Sequence, residues 1–280
     1  MDMLKIVLFA ALPEEYREFK RRIRPWQQLS RMPFRKYGCT LAEKRLVLVE
    51  TGMGKEQLLR CMALAMQEES PDLIVSFGFA GSLTAALPVG GVAMGADFLY
   101  RGKATSSGSE LKVHTDVFDG TVRDFCRDHN VTMARILTVD RPLPKHQLNR
   151  CSSSGPTLMD MESFFAARFA QEAGVPFFCF RSVSDGLQDE IEYDLDEISW
   201  QGKIRIRKVL MLVAKRPHLL KAFYASWRRS VMAGRELANV LAQFLNLPAA
   251  KLTLIGSDRR YPNKAYSTSA AIQRIPPCEA

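Results

Sequence analysis

The acidic residues of this 280-residue chain stand where chemistry can use them. ALPEEYREF sets Glu14 and Glu15 just after Pro13 and behind an apolar run. MDMES carries Asp160 and Glu162, and FRSVSDG ends a second apolar run with Arg181, Ser184 and Asp185. Each acid has an ordinary explanation, since a carboxylate in the first turn of a helix answers its dipole. Gathered in one place, the set acquires a use. Breaking the bond between a nitrogen base and ribose passes through an oxocarbenium-like state, so positive charge on the sugar must be stabilised and the departing base must take a proton. A carboxyl kept protonated by burial can give that proton, while carboxylates hold ribose hydroxyls and orient a nucleophile.

The elements that must deliver these residues follow from the hydrophobic pattern. Continuous apolar runs such as LKIVLFAA and VPFFCF predict strands buried on both faces, at 4–11, 34–50, 72–77, 90–99, 134–139 and 176–183. Helices are predicted at 13–22, 54–68 and 161–173, the last with Phe165, Ala166 and Phe169 facing inward. This alternation specifies an α/β fold, a single-domain three-layer α/β/α sandwich with a mixed central sheet. Ligands of open α/β sheets bind at the carboxyl ends of strands, so the three acids share one rim if the sheet is parallel there. Two small-residue stretches, ETGMGKEQ (50–57) and SFGFAGSL (76–83), read as turns after strands whose amides can approach a ligand. Neither is a Walker loop or a GxGxxG fingerprint. Farther on, Pro217 separates predicted helices 207–215 and 218–245. We therefore expect a catalytic domain over 1–248 and a polar, loosely held tail over 249–280, with Pro262, Pro276 and Pro277.

Composition narrows the classes. A hydrophobic content of 47% supports a substantial core, and 39 Lys and Arg against 30 Asp and Glu give a formal charge of +9, which favours an anionic partner or surface. The six cysteines, at 39, 61, 126, 151, 179 and 278, form no CxxC pair and have no histidine at ligand spacing. They are expected to be reduced thiols of a cytoplasmic protein without a metal. LKIVLFAAL runs straight into Glu14 and Glu15 without a small-residue cleavage site, so it reads as a buried strand and not as a signal peptide. No apolar run approaches the ~20 residues that span a bilayer. Membrane contact, if made, is peripheral, at the inner membrane surface, and no nucleic-acid-binding module is visible.

Taken in order, the acid pair after the first strand, GMGK, SFGFAGSL, LPVGG, MDMES and FRSVSDG resemble the purine nucleoside phosphorylase superfamily over roughly residues 4–245. Within it the chain is most similar to the methylthioadenosine/S-adenosylhomocysteine nucleosidase branch. The resemblance implies that Glu15 orients a nucleophilic water, Glu162 binds the ribose hydroxyls and Met161 lines the ribose face. It implies that Asp185, supported by Ser184, is the general acid at the base, and that Arg181 lies near the nucleophile. Gly81 and Phe79 fall in the stretch matching the family's glycine-rich substrate turn, Phe79 standing where the family has a serine. Glu14 and Glu15 occupy the loop where phosphorylases of this superfamily place an arginine. Like-charge repulsion there favours hydrolysis over phosphorolysis, for which Arg181 and Lys55 would have to supply compensating charge. No cofactor is implied; phosphate would be a co-substrate only for a phosphorylase. TVDRPL at 138–143, the basic KIRIRK stretch and the long Pro-interrupted helices resemble hopanoid-biosynthesis nucleosidases or phosphorylases, which adds adenosylhopane to methylthioadenosine and S-adenosylhomocysteine as candidate substrates. A homodimer is implied as well. The reading from another class is a non-catalytic nucleoside-binding or membrane-associated protein, with Phe79 blocking the nucleophile position.

Overall fold

The computed structural model describes residues 3–102, 111–114, 120–141, 145, 155–189, 199–200, 203–204, 208, 211–212, 215–216 and 219–257. In chain order the elements are β1 (Leu4–Ala10), α1 (Pro13–Arg22), β2 (Gln27–Ser30), β3 (Arg35–Leu41), β4 (Lys44–Glu50), α2 (Lys55–Glu69), β5 (Leu73–Ser82), β6 (Val92–Arg101), β7 (Leu111–His114), α3 (Gly120–Asp128), β8 (Thr132–Val139), β9 (Thr157–Asp160), α4 (Ser163–Ala173), β10 (Phe177–Asp185), β11 (Ser199–Trp200), β12 (Lys203–Ile204), α5 (Leu219–Asn246) and α6 (Ala249–Ser257).

β1 explains the architecture. Its side chains alternate between two buried environments, as a two-residue period requires. Ile6 and Leu8 join Phe19 of α1, Phe125 of α3 and Leu237, Leu241 and Phe244 of α5. Val7 and Phe9 join Leu58 and Met62 of α2 and Phe164 and Ala166 of α4. Helices therefore cover both faces, and the three-layer sandwich is the arrangement that the sequence predicts. Phe244 anchors the first face, with ring centroids 4.9 Å from Phe178, 5.0 Å from Phe180 and 5.5 Å from Phe125.

The central sheet is mixed. β1 lies parallel between β4 and β5, and β10 runs parallel to β5. β6 then pairs antiparallel with β10, β8 parallel with β6, and β9 parallel with β8 but antiparallel with β5. Strands β5, β10, β6, β8 and β9 thus close a ring, while β4, β3 and β2 extend the other edge as an antiparallel meander.

Two expectations change. SFGFAGSL is not a turn: β5 continues to Ser82. Its small residues serve another end, because a Cβ at Gly78 would lie 2.4 Å from Glu15 Oε1 and one at Gly81 would lie 2.5 Å from Asp185 Oδ2. Glycine here marks close approach to a strand, which composition alone cannot tell from a turn. The stretch assigned to a loose tail opens with α6, whose Leu252 is buried in the core beside α3 and α5; residues 258–280 lie outside the described residues. β2, α3 and β9 carry too short or too irregular a pattern to have been foreseen. Predicted helix 218–245 matches α5, whereas only residues 208, 211–212 and 215 of the helix predicted before it are described, all helical.

Candidate active site

Glu15 lies in the first turn of α1, where Pro13 pre-sets the helical backbone. Its Oε2 accepts from the N–H groups of Ala11 (2.7 Å) and Leu12 (3.0 Å), the capping that any acid at this position offers. Its Oε1 does something more, crossing to β5 to accept from the Phe79 N–H at 3.0 Å. The side chain is buried, and burial raises its proton affinity above the ordinary carboxyl range despite these amides and the nearby Arg181 charge. The Phe79 ring packs with the core on the α1 and α5 face, against Gly234, so what Phe79 offers Glu15 is its backbone.

Asp160 and Glu162 divide the two tasks that their sequence position leaves open. Asp160, the last residue of β9, is a structural hub: it accepts from Thr138 Oγ1 (2.6 Å), the Ser163 N–H (3.0 Å), the Ser163 hydroxyl and Arg181 Nε (3.0 Å). Glu162 occupies the N-cap position of α4 and turns away from that hub to accept from the Gly54 N–H at 2.7 Å. Gly54 caps α2 at φ +95°, a left-handed conformation that suits glycine, and so ETGMGKEQ does present an amide at the site. Burial first, and repulsion from Asp160 second, push Glu162 up to about 8, against the opposing pull of the Gly54 amide and Arg181.

Arg181 stands opposite Gly78 in the β10–β5 register. Its guanidinium is held on three sides, by Asp160, Ser76 Oγ (3.1 Å) and the Phe180 carbonyl (3.1 Å). Four residues farther along β10, after a bulge at Ser184, Asp185 comes to rest opposite Gly81. Ser184 Oγ donates to Asp185 Oδ1 at 2.8 Å, and Lys145 Nζ pairs with Oδ2 at 2.7 Å. Lys145 is buried and lies between β8 and β9 in a stretch without a readable pattern, where no local signal points to it. Ser76, inside β5, and Thr51, just after β4, fall in the two stretches flagged from the sequence, but nothing local marks them as the residues that stand beside the acids.

These elements form a cleft lined by Phe9, Ala10, Ala11, Glu15, Thr51, Leu58, Ser76, Phe77, Phe79, Glu162 and Arg181. It lies at the carboxyl end of β1 and beside the middle of β5, and only part of the convergence comes from parallel strands. β9 runs antiparallel to β5, with Met159 opposite Gly81, so its end turns back toward Gly78 and delivers Glu162 to the level of Glu15 and Arg181. Asp185, Ser184 and Gly81 stand three β-residues beyond that level, a rise of about 10 Å. Met161 is half-buried between Asp160 and Glu162. Among the described residues no cluster of His, Cys, Asp or Glu has the make-up of a metal site, and no helix is long and apolar enough to cross a membrane.

The phosphorylase superfamily model matches residues 5–215, three-quarters of the chain and every element that lines the cleft. The chain belongs to the phosphorylase superfamily. Among its superfamily relatives, a 5'-methylthioadenosine/S-adenosylhomocysteine nucleosidase from Exiguobacterium sp. is 22% identical over 231 residues, covering 76% of this chain and 98% of that protein. Among solved structures, an S-adenosylhomocysteine nucleosidase from Streptococcus pyogenes, in complex with 5-methylthiotubericidin, superposes with a TM-score of 0.66 at 21% identity, covering 89% of this chain and 99% of that one. The futalosine hydrolase of Helicobacter pylori gives 0.65 at 14% identity, covering 87% and 98%. At these identities the solved structures establish the phosphorylase-superfamily fold, and the choice of substrate has to be argued from the site.

Proposed function

We propose that this chain cleaves the N-glycosidic bond of an adenine-type nucleoside by hydrolysis. One observation carries the reading: Glu15, Glu162 and Arg181 share a cleft, and Asp185 stands about 10 Å farther along the same strands, a spacing that suits ribose at one end and a base at the other. Glu162, which burial keeps protonated, can both donate to and accept from ribose hydroxyls. Glu15 is held by amides from two elements and orients a water toward C1′, taking a proton from it as the bond to oxygen forms. The base leaves with the C1′–N9 electron pair and is protonated from the Asp185 end. Carboxyls preorganised around developing positive charge supply the main stabilisation.

The electrostatics support water over phosphate. The cleft holds two acids, its guanidinium is already ion-paired with Asp160, and Lys55 lies over the Phe165 ring at 4.9 Å. Methylthioadenosine and S-adenosylhomocysteine are the leading substrates, supported by the names of the curated relatives. Adenosylhopane is the further candidate. It is supported by a surface on which α5 exposes Leu220, Tyr224 and Trp227 next to Lys221 and Arg228, a basic and apolar face suited to peripheral contact with an anionic membrane. A homodimer belongs to the same reading, and sedimentation at micromolar concentration tests it.

The deciding experiment incubates the protein with each nucleoside, with and without phosphate, and separates products by chromatography. Free adenine with an unphosphorylated sugar is expected. Ribose 1-phosphate as product would replace hydrolysis by phosphorolysis, and no base release from any of the three would remove the reading.

A further inference from the structure

We propose that Lys145 is a positioning residue of the reaction, supplying through Asp185 the proton that the departing base takes up; this rests on the proposed nucleosidase reading. The argument begins with hydrogen-bonding capacity. Asp185 Oδ2 faces the Lys145 ammonium at 2.7 Å, and an ammonium has donors only, so that oxygen acts as an acceptor and carries no proton of its own. Oδ1 accepts from the Ser184 hydroxyl. In the resting site Asp185 is therefore a clamped carboxylate, and a carboxylate has nothing to donate.

Lys145 has. Its ammonium is almost wholly removed from water and is fixed by two further acceptors, the carbonyls of Asp185 (3.2 Å) and Gly186. The remaining charged neighbours do not compete for it: Asp189, in the following turn, accepts from the Gly186 N–H and pairs with Arg229 of α5. Gly81 has no side chain, which lets Asp185 sit against β5 with Oδ2 turned to the lysine. When the C1′–N9 bond breaks and its electron pair moves into the purine ring, Lys145 gives a proton to Asp185 and Asp185 hands it on to the base, ending as the carboxylate that it was at the start. Lys145 is left as a neutral amine, Glu15 holds the proton from the attacking water, and exchange with solvent restores both. Charge and atoms balance without any further reagent.

The test follows adenine release from methylthioadenosine by wild type, Lys145→Met and Lys145→Arg as a function of pH, with folding checked by circular dichroism. Wild type releases adenine at neutral pH. For Lys145→Met, kcat falls on the order of 10²-fold at neutral pH, the scale of a lost general acid, with KM changed little. The rate recovers as pH is lowered and Asp185 takes its proton directly from solvent. Lys145→Arg keeps the charge but holds its protons too tightly to relay one, so it stays slow even if the methionine variant does not fold. A wild-type pH profile in Lys145→Met, or full activity in Lys145→Arg, overturns the relay. Absence of adenine release by wild type from every nucleoside tried removes the nucleosidase reading instead, a distinguishable result.

Discussion

The substitution Glu162→Gln keeps the side-chain shape and an acceptor for the Gly54 amide but abolishes ionisation. Its consequence for stability can be worked from the site. A carboxyl whose protonation midpoint moves from 4.5 in the unfolded chain to about 8 in the fold binds a proton in the native state that the unfolded state has released across that window. Stability contributed by this group is complete below pH 4.5 and falls as pH rises. At about 1.4 kcal/mol per pH unit, wild type loses about 1 kcal/mol by pH 5 and about 4 kcal/mol by pH 8. These are upper bounds, since Glu162 opens onto the cleft and water there screens its charge. The glutamine variant escapes the loss, so relative to wild type it should gain up to about 3 kcal/mol between pH 5 and pH 8. Urea denaturation of both proteins at pH 5, 6.5 and 8 measures the difference directly. If the gap between the two proteins is the same at all three pH values, burial and Asp160 do not hold Glu162 protonated, and the assignment of a neutral, donating Glu162 is refuted.

Other outcomes follow from the same geometry. Asp185→Asn should abolish adenine release, with a loss of at least about 10²-fold in kcat, while binding of the intact nucleoside measured by calorimetry survives. Gly81→Ala places a methyl 2.5 Å from Asp185 Oδ2 and should lower activity far more than melting temperature, because the carboxylate can shift at the cleft rim whereas the strand need not. Arg181→Met strands the buried Asp160 carboxylate and should destabilise the fold by about 3–5 kcal/mol in urea titrations, a structural loss that precedes any catalytic one. Phe244→Ala, which removes the ring packed on Phe125, Phe178 and Phe180, should cost about 3–5 kcal/mol without altering the pH profile of the remaining activity.

The amino-acid pattern by itself determined the layers. β1 is apolar along nearly its whole length, and β4 and β10 contain the continuous apolar runs LVLV and FFCF, a pattern that is stable only with helices on both faces; Pro13 with two glutamates behind it marks the start of α1 wherever the chain goes next. It also determined which acids were candidates, because a carboxylate at a strand-to-helix junction is visible locally. Tertiary structure alone decided what each acid does. Asp160 and Glu162 are two residues apart and look alike in sequence, yet one becomes the buried partner of Arg181 and the other turns to Gly54 and the cleft. That division depends on β9 running back along β5, a pairing between segments some 75 residues apart that no local pattern encodes. Gly78 and Gly81 read as turn residues because small size is all that the sequence reports; that the space they leave belongs to Glu15 and Asp185 is a fact of the fold. Lys145 lay beyond reach for the same reason, since its role is defined by an ion pair with a residue 40 positions away, and only the closure of the chain brings ammonium and carboxylate to 2.7 Å.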